Sequence, residues 1–128
     1  MKLKRILRSQ EDPDAEEKAF LQEFTSQGTE EYFKDAEASW EANVNITDYN
    51  NQKAAEASAA FSVWRNRLAE QALAFPLADI VDYATRREMY KVQEVGIKLN
   101  EADTLEYERL RGEMRTIYST GKIDAWSN

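Results

Sequence analysis

The spacing of apolar residues in the first third of the sequence is the strongest constraint on the fold. These residues step by three and four positions: Phe20, Leu21, Phe24, Phe33, Ala36 and Trp40. Acidic residues fill the positions between them, as in an amphipathic helix. Asp12 and Asp14 suit a helix start, because carboxylates are favourable at the positive end of the helix dipole. We therefore predict a helix from Asp14 to about Glu41, which Gly28 weakens without ending it.

A second helix is predicted after a break in this pattern at residues 43–47. Thr47 is a suitable N-cap, and Asp48 would lie in the first turn of the helix. From there to about Leu73, alanines alternate with large apolar residues on one face: Phe61, Trp64 and Leu68. This stripe could line a ligand groove or pack in a core. Because alanine-rich faces let helices approach closely, the first two helices are expected to form a helical hairpin.

Two shorter helices are predicted in the rest of the chain. Pro76 marks a break and suits the first turn of a helix, so the third helix is expected from Leu77 to about Val92. Asn100 is a suitable cap for a fourth helix that ends at Gly121. The apolar positions of this fourth helix again step by three and four: Tyr107, Leu110, Met114 and Ile117. With no alternating strand pattern and no repeat, the predicted fold class is all-α, with about four helices.

The charge of the chain is unevenly distributed. The net charge is −7, yet residues 1–10 carry four bases and no acid. Residues 11–41 carry eleven acids against Lys18 and Lys34. An acidic first third argues against nucleic-acid binding, which requires a basic surface to displace counterions. The remaining interpretation is a solvated acidic helix face.

The chain contains neither histidine nor cysteine. Histidine is the commonest general base, and the two residue types together are the usual zinc ligands. A Ser-His-Asp triad and a hydrolytic zinc site are therefore excluded within these 128 residues. A carboxylate metal cluster is disfavoured too, because adjacent acids point to different sides of a helix. The acids considered for it are Glu16, Glu17, Glu30, Glu31 and Asp35.

Two further features of the sequence have a functional and a structural interpretation. Tyr32 and Phe33, together with Trp40, could form an interaction surface or pack within the fold. Asn45-Ile46-Thr47 is an acceptor sequence for N-linked sugar, which is used only in a secretory compartment. Its position on a turn between two predicted helices favours exposure. The N-terminal residues MKLKRILRSQ have no apolar core of a signal peptide, and no run is long enough to cross a bilayer.

Three segments of the chain resemble the angiotensin-converting enzyme family. EASWEANVNIT is similar to the end of the family's first long helix, where a Trp is followed by an Asn-rich turn. FPLADI resembles the family's Tyr-Pro-Leu break before the third helix. LRGEMRTIYSTGK is similar to a family segment that reads Met-x-Thr-Ile-Tyr-Ser-Thr-Gly-Lys. The order and spacing match, so the resemblance covers about Glu16 to Lys122.

The resemblance implies a function that belongs to a larger enzyme. The family consists of secreted or membrane-anchored zinc peptidases that remove dipeptides or single residues from the C-termini of peptides. Its first helices form a lid over a deep channel, and a His-Glu-x-x-His helix with a downstream Glu binds the zinc. No catalytic or metal-binding residue carries over to this chain, so it is expected to bind no zinc and to show no activity alone. Asn45 carries over as a glycosylation position, and five residues are expected to pack the lid: Phe24, Trp40, Phe61, Trp64 and Leu68.

The two ends of the chain depart from the family pattern. Residues 1–13 replace a signal peptide with a basic leader that we expect to be disordered. Residues 14–122 are the predicted lid segment, and residues 123–128 form a divergent tail that lacks the family's cysteine after Lys122. This pattern suggests a fragment, a truncated gene model or a spliced product, with peptide substrates bound by the missing half. The alternative is a stand-alone helical interaction protein or decoy, against which a bare stripe at Phe61, Trp64 and Leu68 would argue.

Overall fold

The described part of the protein consists of α-helices joined by short turns. The structure, a computed structural model, describes residues 12–96 and 98–122. These residues form four α-helices and one short 3-10 helix at Leu77–Asp79: α1 at Ala15–Val44, α2 at Asp48–Ala72, α3 at Tyr83–Gln93 and α4 at Glu101–Thr120. No strand occurs within these ranges, so the predicted all-α fold with four helices is confirmed.

Short-range hydrogen bonds to side chains set the beginnings of three helices. At α1, the backbone N–H of Asp14 donates to Asp12 Oδ1 at 3.0 Å. At α2, Thr47 Oγ1 accepts the backbone N–H of Asn50 at 3.1 Å. At α4, Asn100 Oδ1 accepts a backbone N–H at 2.8 Å. These side chains satisfy amide groups that have no partner within the helix, and the predicted caps at Thr47 and Asn100 are confirmed.

The predicted end of α4 at Gly121 is also confirmed. The backbone N–H of Gly121 donates to the carbonyl oxygen of Ile117 at 2.8 Å. A Cβ added at this position would lie only 2.6 Å from the same oxygen. Glycine is therefore required here by the close approach of the backbone, whereas its φ of −63° is one that any residue can adopt.

The predicted start of the third helix at Leu77 is wrong. The 3-10 helix at Leu77–Asp79 is followed by Ile80 in an extended conformation, with ψ of 120°. The α-helix begins only at Tyr83, behind an N-cap at Asp82 whose carboxylate accepts the backbone N–H of Thr85 at 2.9 Å. The proline pattern thus identified a break correctly but placed the helix start too early.

A distant carboxylate explains why this stretch is extended. Asp14 is only 1% exposed and accepts the backbone N–H of Val81 at 2.9 Å and that of Asp82 at 2.6 Å. The guanidinium of Arg86 donates to the carbonyl oxygen of Ile80 at 2.7 Å. These side chains supply the hydrogen bonds that a helix would otherwise form, because buried backbone groups need partners.

The described residues divide into two compact units. The first comprises the residues up to Glu30 and those from Trp64 to Lys98. The second comprises Glu31 to Val63 and the residues from Leu99 onward. Each unit therefore takes part of α1 and part of α2 and adds a later segment of the chain.

The first unit contains a core of large apolar side chains. Its buried members are Leu21, Ala72, Ile80, Met89 and Val92, with Phe20, Phe24, Phe75 and Leu77 packed against them. The rings of Phe24 and Trp64 stack with centroids 5.3 Å apart. Because fully burying a large apolar side chain is worth about 1.5–3 kcal/mol, this cluster is the main source of stability in the unit.

The second unit packs mainly through small residues. Its buried apolar residues are Ala42, Ala54, Ala55 and Ala59. The rings of Tyr32 and Phe61 meet edge to face at 6.0 Å, and Ser58 Oγ donates to the Asp35 carboxylate at 2.5 Å. Asn51 Nδ2 donates to Thr116 at 2.8 Å and so connects α2 with α4.

The predicted end segments lie largely outside the described residues. This is true of residues 1–11 of the predicted leader and of the whole predicted tail, 123–128. Pro13 and Asp14 form the turn that precedes α1, and the N–H of Ala15 donates to the carbonyl oxygen of Asp12. The division into leader, lid segment and tail stays a prediction.

Candidate functional site

The acceptor asparagine lies on the exposed turn that joins α1 to α2. The backbone N–H of Asn45 donates to the carbonyl oxygen of Glu41 at 3.0 Å, and its own carbonyl oxygen accepts from Asn50 Nδ2 at 2.9 Å. Asn45, Ile46 and Thr47 are all exposed. The backbone of the acceptor sequence is therefore fixed by hydrogen bonds while the Asn45 side chain faces solvent.

The five residues predicted to pack the lid differ in their surroundings. Trp64 and Leu68 are buried, with 7% and 6% of their surface exposed. Phe24 and Phe61 are half-buried and contact other rings within their own units. Trp40, in contrast, is 67% exposed, so it does not pack among the described residues. Its packing role stays a prediction about the larger enzyme.

Exposed aromatic side chains occur on α1, as an interaction surface at Tyr32, Phe33 and Trp40 would require. Tyr32, Phe33 and Trp40 are each more than half exposed. Tyr32 also packs against Phe61, so part of this set serves the fold. The interaction surface at these residues stays a prediction.

A groove between α2 and α4 in the second unit was not predicted from the sequence. Its volume is about 590 Å³. From α2 it is lined by Asp48, Asn51, Gln52, Ala55 and Glu56, and from α4 by Leu105, Arg109, Gly112, Glu113, Thr116 and Ile117. Ala55 and Gly112 leave space between the two helices because they have little or no side chain. Small residues at matching positions on the two helices were the signal that could have revealed it.

One charged residue that lines this groove, Arg109, is paired with two acids of its own helix. Arg109 donates to both carboxylate oxygens of Glu106, at 2.7 and 2.8 Å, and it also pairs with Glu113. The hydrogen bond from Arg109 lowers the pKa of Glu106, and the same contact raises the pKa of Arg109. Both groups therefore stay charged near neutral pH. The groove can offer hydrogen bonds and apolar contacts to a ligand.

Charged residues of the first unit serve helix ends. The N–H and hydroxyl of Thr85 donate to the Asp82 carboxylate and lower its pKa. Arg65 donates to the carbonyl oxygens of Val92 and Lys91 at 2.7 and 2.9 Å, close to the C-terminal end of α3. Burial lowers the pKa of Arg65, but a guanidinium remains charged under all ordinary conditions. These contacts are structural, and none has the geometry of a catalytic pair.

The residues of this chain do not fit a zinc ion. A zinc site needs three or four histidine, cysteine or carboxylate ligands, and the sequence supplies no histidine and no cysteine. Within residues 12–96 and 98–122, no group of three or more candidate ligands lies close enough to hold a metal ion. The acids of α1 are thus not gathered into a ligand set. No chemical step on this chain is assigned to zinc.

The family of the protein follows from a comparison with known proteins. Residues 11–128 match the model of the peptidase family described as angiotensin-converting enzyme. Because the match covers nearly the whole sequence, the chain belongs to the angiotensin-converting enzyme family. The family resemblance inferred from the three sequence segments is confirmed. No helix in the part of the chain that the structure describes is both long and apolar enough to cross a membrane.

Proposed function

We propose that this chain is the N-terminal lid segment of a zinc peptidase of the angiotensin-converting enzyme family. The whole enzyme would remove dipeptides or single residues from the C-termini of peptides outside the cell or at its surface. Zinc and the catalytic residues would come from another part of that enzyme. The helices of this chain would restrict access to the channel and exclude large substrates rather than take part in the chemistry.

One observation carries the proposal: a family match over residues 11–128 in a chain that contains no histidine and no cysteine. The match supports a peptidase origin. Because histidine and cysteine are missing, this part of the enzyme is proposed to contribute no zinc site. The exposed apolar residues of α4 are also consistent with a segment that belongs to a larger assembly. These include Met114 and Ile117.

An immunoblot of the source tissue and its secretions tests the proposal. An antibody raised against residues 47–92 should detect a band several times larger than 14.8 kDa. Enzymatic removal of N-linked sugar should shift this band to lower mass. A single soluble, unglycosylated band near 14.8 kDa would contradict the proposal and favour a short form with its own partners.

The proposal includes a sugar on Asn45. The side chain is exposed, and only the backbone of Asn45 takes part in the hydrogen bonds with Glu41 and Asn50 that hold the turn, so a glycan would not disturb the packing. When the chain is secreted from eukaryotic cells behind an added signal sequence, we expect one sugar-dependent mass shift. Asn45→Gln should abolish this shift. Thr47→Ser should keep it, because serine preserves both the acceptor sequence and the N-cap. A shift that survives in Asn45→Gln would exclude this site.

The alternative is a stand-alone helical interaction protein or decoy that retains the lid surface. The sequence argued against this alternative on the expectation that Phe61, Trp64 and Leu68 would form an exposed apolar stripe in a stand-alone chain. That argument is wrong for two of the three residues, because Trp64 and Leu68 are buried within the chain itself. A cooperative thermal transition of the 128-residue protein would support the alternative, whereas a molten chain would support a dependent lid segment.

A further inference from the structure

The hydroxyl group of Thr47 has two roles. Thr47 is the third residue of the acceptor sequence Asn45-Ile46-Thr47, a position at which only serine or threonine is accepted. This requirement indicates that the glycosylating enzyme recognises the hydroxyl group. In the folded chain the same oxygen is the N-cap of α2, because it accepts the backbone N–H of Asn50 at 3.1 Å. Glycosylation and the formation of α2 therefore use the same side-chain group.

The backbone of the acceptor sequence is also held from both sides. The N–H of Asn45 donates to the carbonyl oxygen of Glu41 at 3.0 Å, which continues the hydrogen-bond pattern of α1. The carbonyl oxygen of Asn45 accepts Asn50 Nδ2 at 2.9 Å, and that of Thr47 accepts the N–H of Asn51 at 2.9 Å. All these contacts lie within residues 41–51, so they do not depend on any other part of a larger enzyme.

We propose that Asn45 is glycosylated before α2 forms, and that the capped turn excludes the glycosylating enzyme once the chain has folded. The inference rests on the proposed use of Asn45 in an exported enzyme, and it adds the order of the two events. Asn50 controls this order. It supplies both the backbone N–H that Thr47 caps and the side-chain hydrogen bond to the Asn45 carbonyl oxygen.

The physical reason is that the enzyme needs a different backbone conformation from that of the folded turn. The Asn45 side chain must enter the catalytic pocket while the Thr47 hydroxyl is bound beside it. The enzyme therefore has to surround the backbone between the two residues, and the first turn of α2 must open to allow this. Opening a helix end costs less free energy than unfolding the whole chain, yet the closed form remains the main population. Folding thus slows the modification although the three acceptor residues are exposed.

Glycosylation in vitro with purified oligosaccharyltransferase and its lipid-linked sugar donor tests the proposal. Two acceptors are compared: the folded 128-residue chain made in bacteria, and a peptide of residues 41–52. A peptide of this length does not hold a stable helix. We expect the peptide to be modified on the order of tenfold faster than the folded chain, because the capped turn must open first. Equal rates for the two acceptors would overturn the proposal.

Asn50→Ala and Gln52→Ala are a matched pair of variants in the first turns of α2. Asn50→Ala removes the side-chain hydrogen bond to Asn45 and keeps the acceptor sequence. Gln52 is exposed, and its side chain donates to Glu56 Oε1 at 2.9 Å along the same helix. Alanine favours the helix at both positions, so a faster reaction cannot come from weaker helix propensity.

The two variants should behave differently in the folded chain. Asn50→Ala should speed its modification by roughly twofold to tenfold, the usual effect of losing one hydrogen bond. Gln52→Ala should leave the rate unchanged. In peptides of residues 41–52 neither change should alter the rate, because no turn is formed there. Equal acceleration of the folded chain by both variants would overturn the role of Asn50.

Failure of this inference and failure of the proposed function give different results. A folded chain that is modified as fast as the peptide overturns the order of events and leaves the proposed exported enzyme unaffected. If the folded chain resists the enzyme in vitro but the secreted chain carries no sugar, the exclusion by the folded turn is supported. That result would instead remove the sugar on Asn45 from the proposed function.

Discussion

At the scale of single residues, Asp14 links two distant parts of the first unit. Its buried carboxylate accepts the backbone N–H groups of Val81 and Asp82. Both amides belong to the extended stretch between the 3-10 helix and α3, where no helical partner exists for them. One side chain near the start of α1 therefore determines where α3 can begin.

Replacing Asp14 tests this role. In Asp14→Asn the side-chain oxygen can accept only one of the two amides well, and the new NH₂ group would face the other donor. We expect the free energy of unfolding to fall by about 1–3 kcal/mol, the usual cost of an unsatisfied buried group. Urea unfolding followed by circular dichroism measures the change. Asp79→Asn, an exposed change in the same region, should stay within about 0.5 kcal/mol of the unmodified protein, and an equal loss in both variants would contradict the role.

Two mid-helix glycines allow a matched comparison of packing. A Cβ added at Gly28 would lie 3.0 Å from Trp64 Cη2, whereas one added at Gly112 would meet nothing within 4 Å. We expect Gly112→Ala to stabilise the protein by roughly 0.5–1 kcal/mol through helix propensity. Gly28→Ala should gain less or lose stability, because the Trp64 ring must move. Equal increases in melting temperature for the two variants would mean that the close approach of Gly28 to Trp64 has no energetic effect.

At the scale of helices, the ends are set by short polar side chains that are close in sequence. Thr47 and Asn100 accept amides three residues further on, and Asp82 does the same for Thr85. Such contacts are local, so the sequence predicts them well. The start of α3 was misjudged because Asp14, which holds the preceding stretch, lies 67 and 68 residues away from the amides it accepts. No local pattern contains that information.

The cap at Asp82 predicts a specific dependence of stability on pH. Hydrogen bonds from Thr85 lower the pKa of Asp82 in the folded state below its unfolded value of about 3.9. The contribution of the ionised cap is therefore complete above about pH 4 and is lost as the pH falls through the lowered pKa.

Asp82→Asn separates this effect from the other carboxylates. Asparagine caps a helix about as well as aspartate but does not titrate. Urea unfolding should give similar stability for the variant and the unmodified protein at pH 7. Between about pH 4 and pH 2, the variant should lose less stability on acidification. Parallel losses over this range would show that the Asp82 cap does not contribute to acid sensitivity.

At the scale of the whole molecule, the set of possible zinc ligands predicts how the melting temperature should respond to added metal. A ligand that binds only the folded state raises the melting temperature, and its removal lowers it. Because no described group fits zinc, adding zinc or EDTA should leave the melting temperature of the full chain unchanged within about 1 °C. A clear rise with equimolar zinc, reversed by EDTA, would contradict the proposed division between lid and catalytic residues.

The sequence was most informative about helix count, helix ends and family, and least informative about surfaces. The apolar positions Tyr107, Leu110, Met114 and Ile117 were recognised as one stripe of a helix, but periodicity alone cannot tell which neighbour the stripe faces. Trp40 was grouped with packing residues for the same reason. The groove at Ala55 and Gly112 exists because these two residues have little or no side chain. Such gaps are hard to predict from residue types.

The long-range contact of Asp14 also has a consequence for the protein during its synthesis. A ribosome adds about 5–20 residues per second, so Asp14 is added to the chain roughly 3 to 14 seconds before Asp82. The hydrogen bond between Asn51 and Thr116 in the second unit can also form only late, because the two residues are 65 positions apart. During this interval the nascent hairpin exposes apolar side chains such as Phe20 and Phe24, which later pack against the core. The two long helices are thus made early, and their packing is completed only when the later helices have been made.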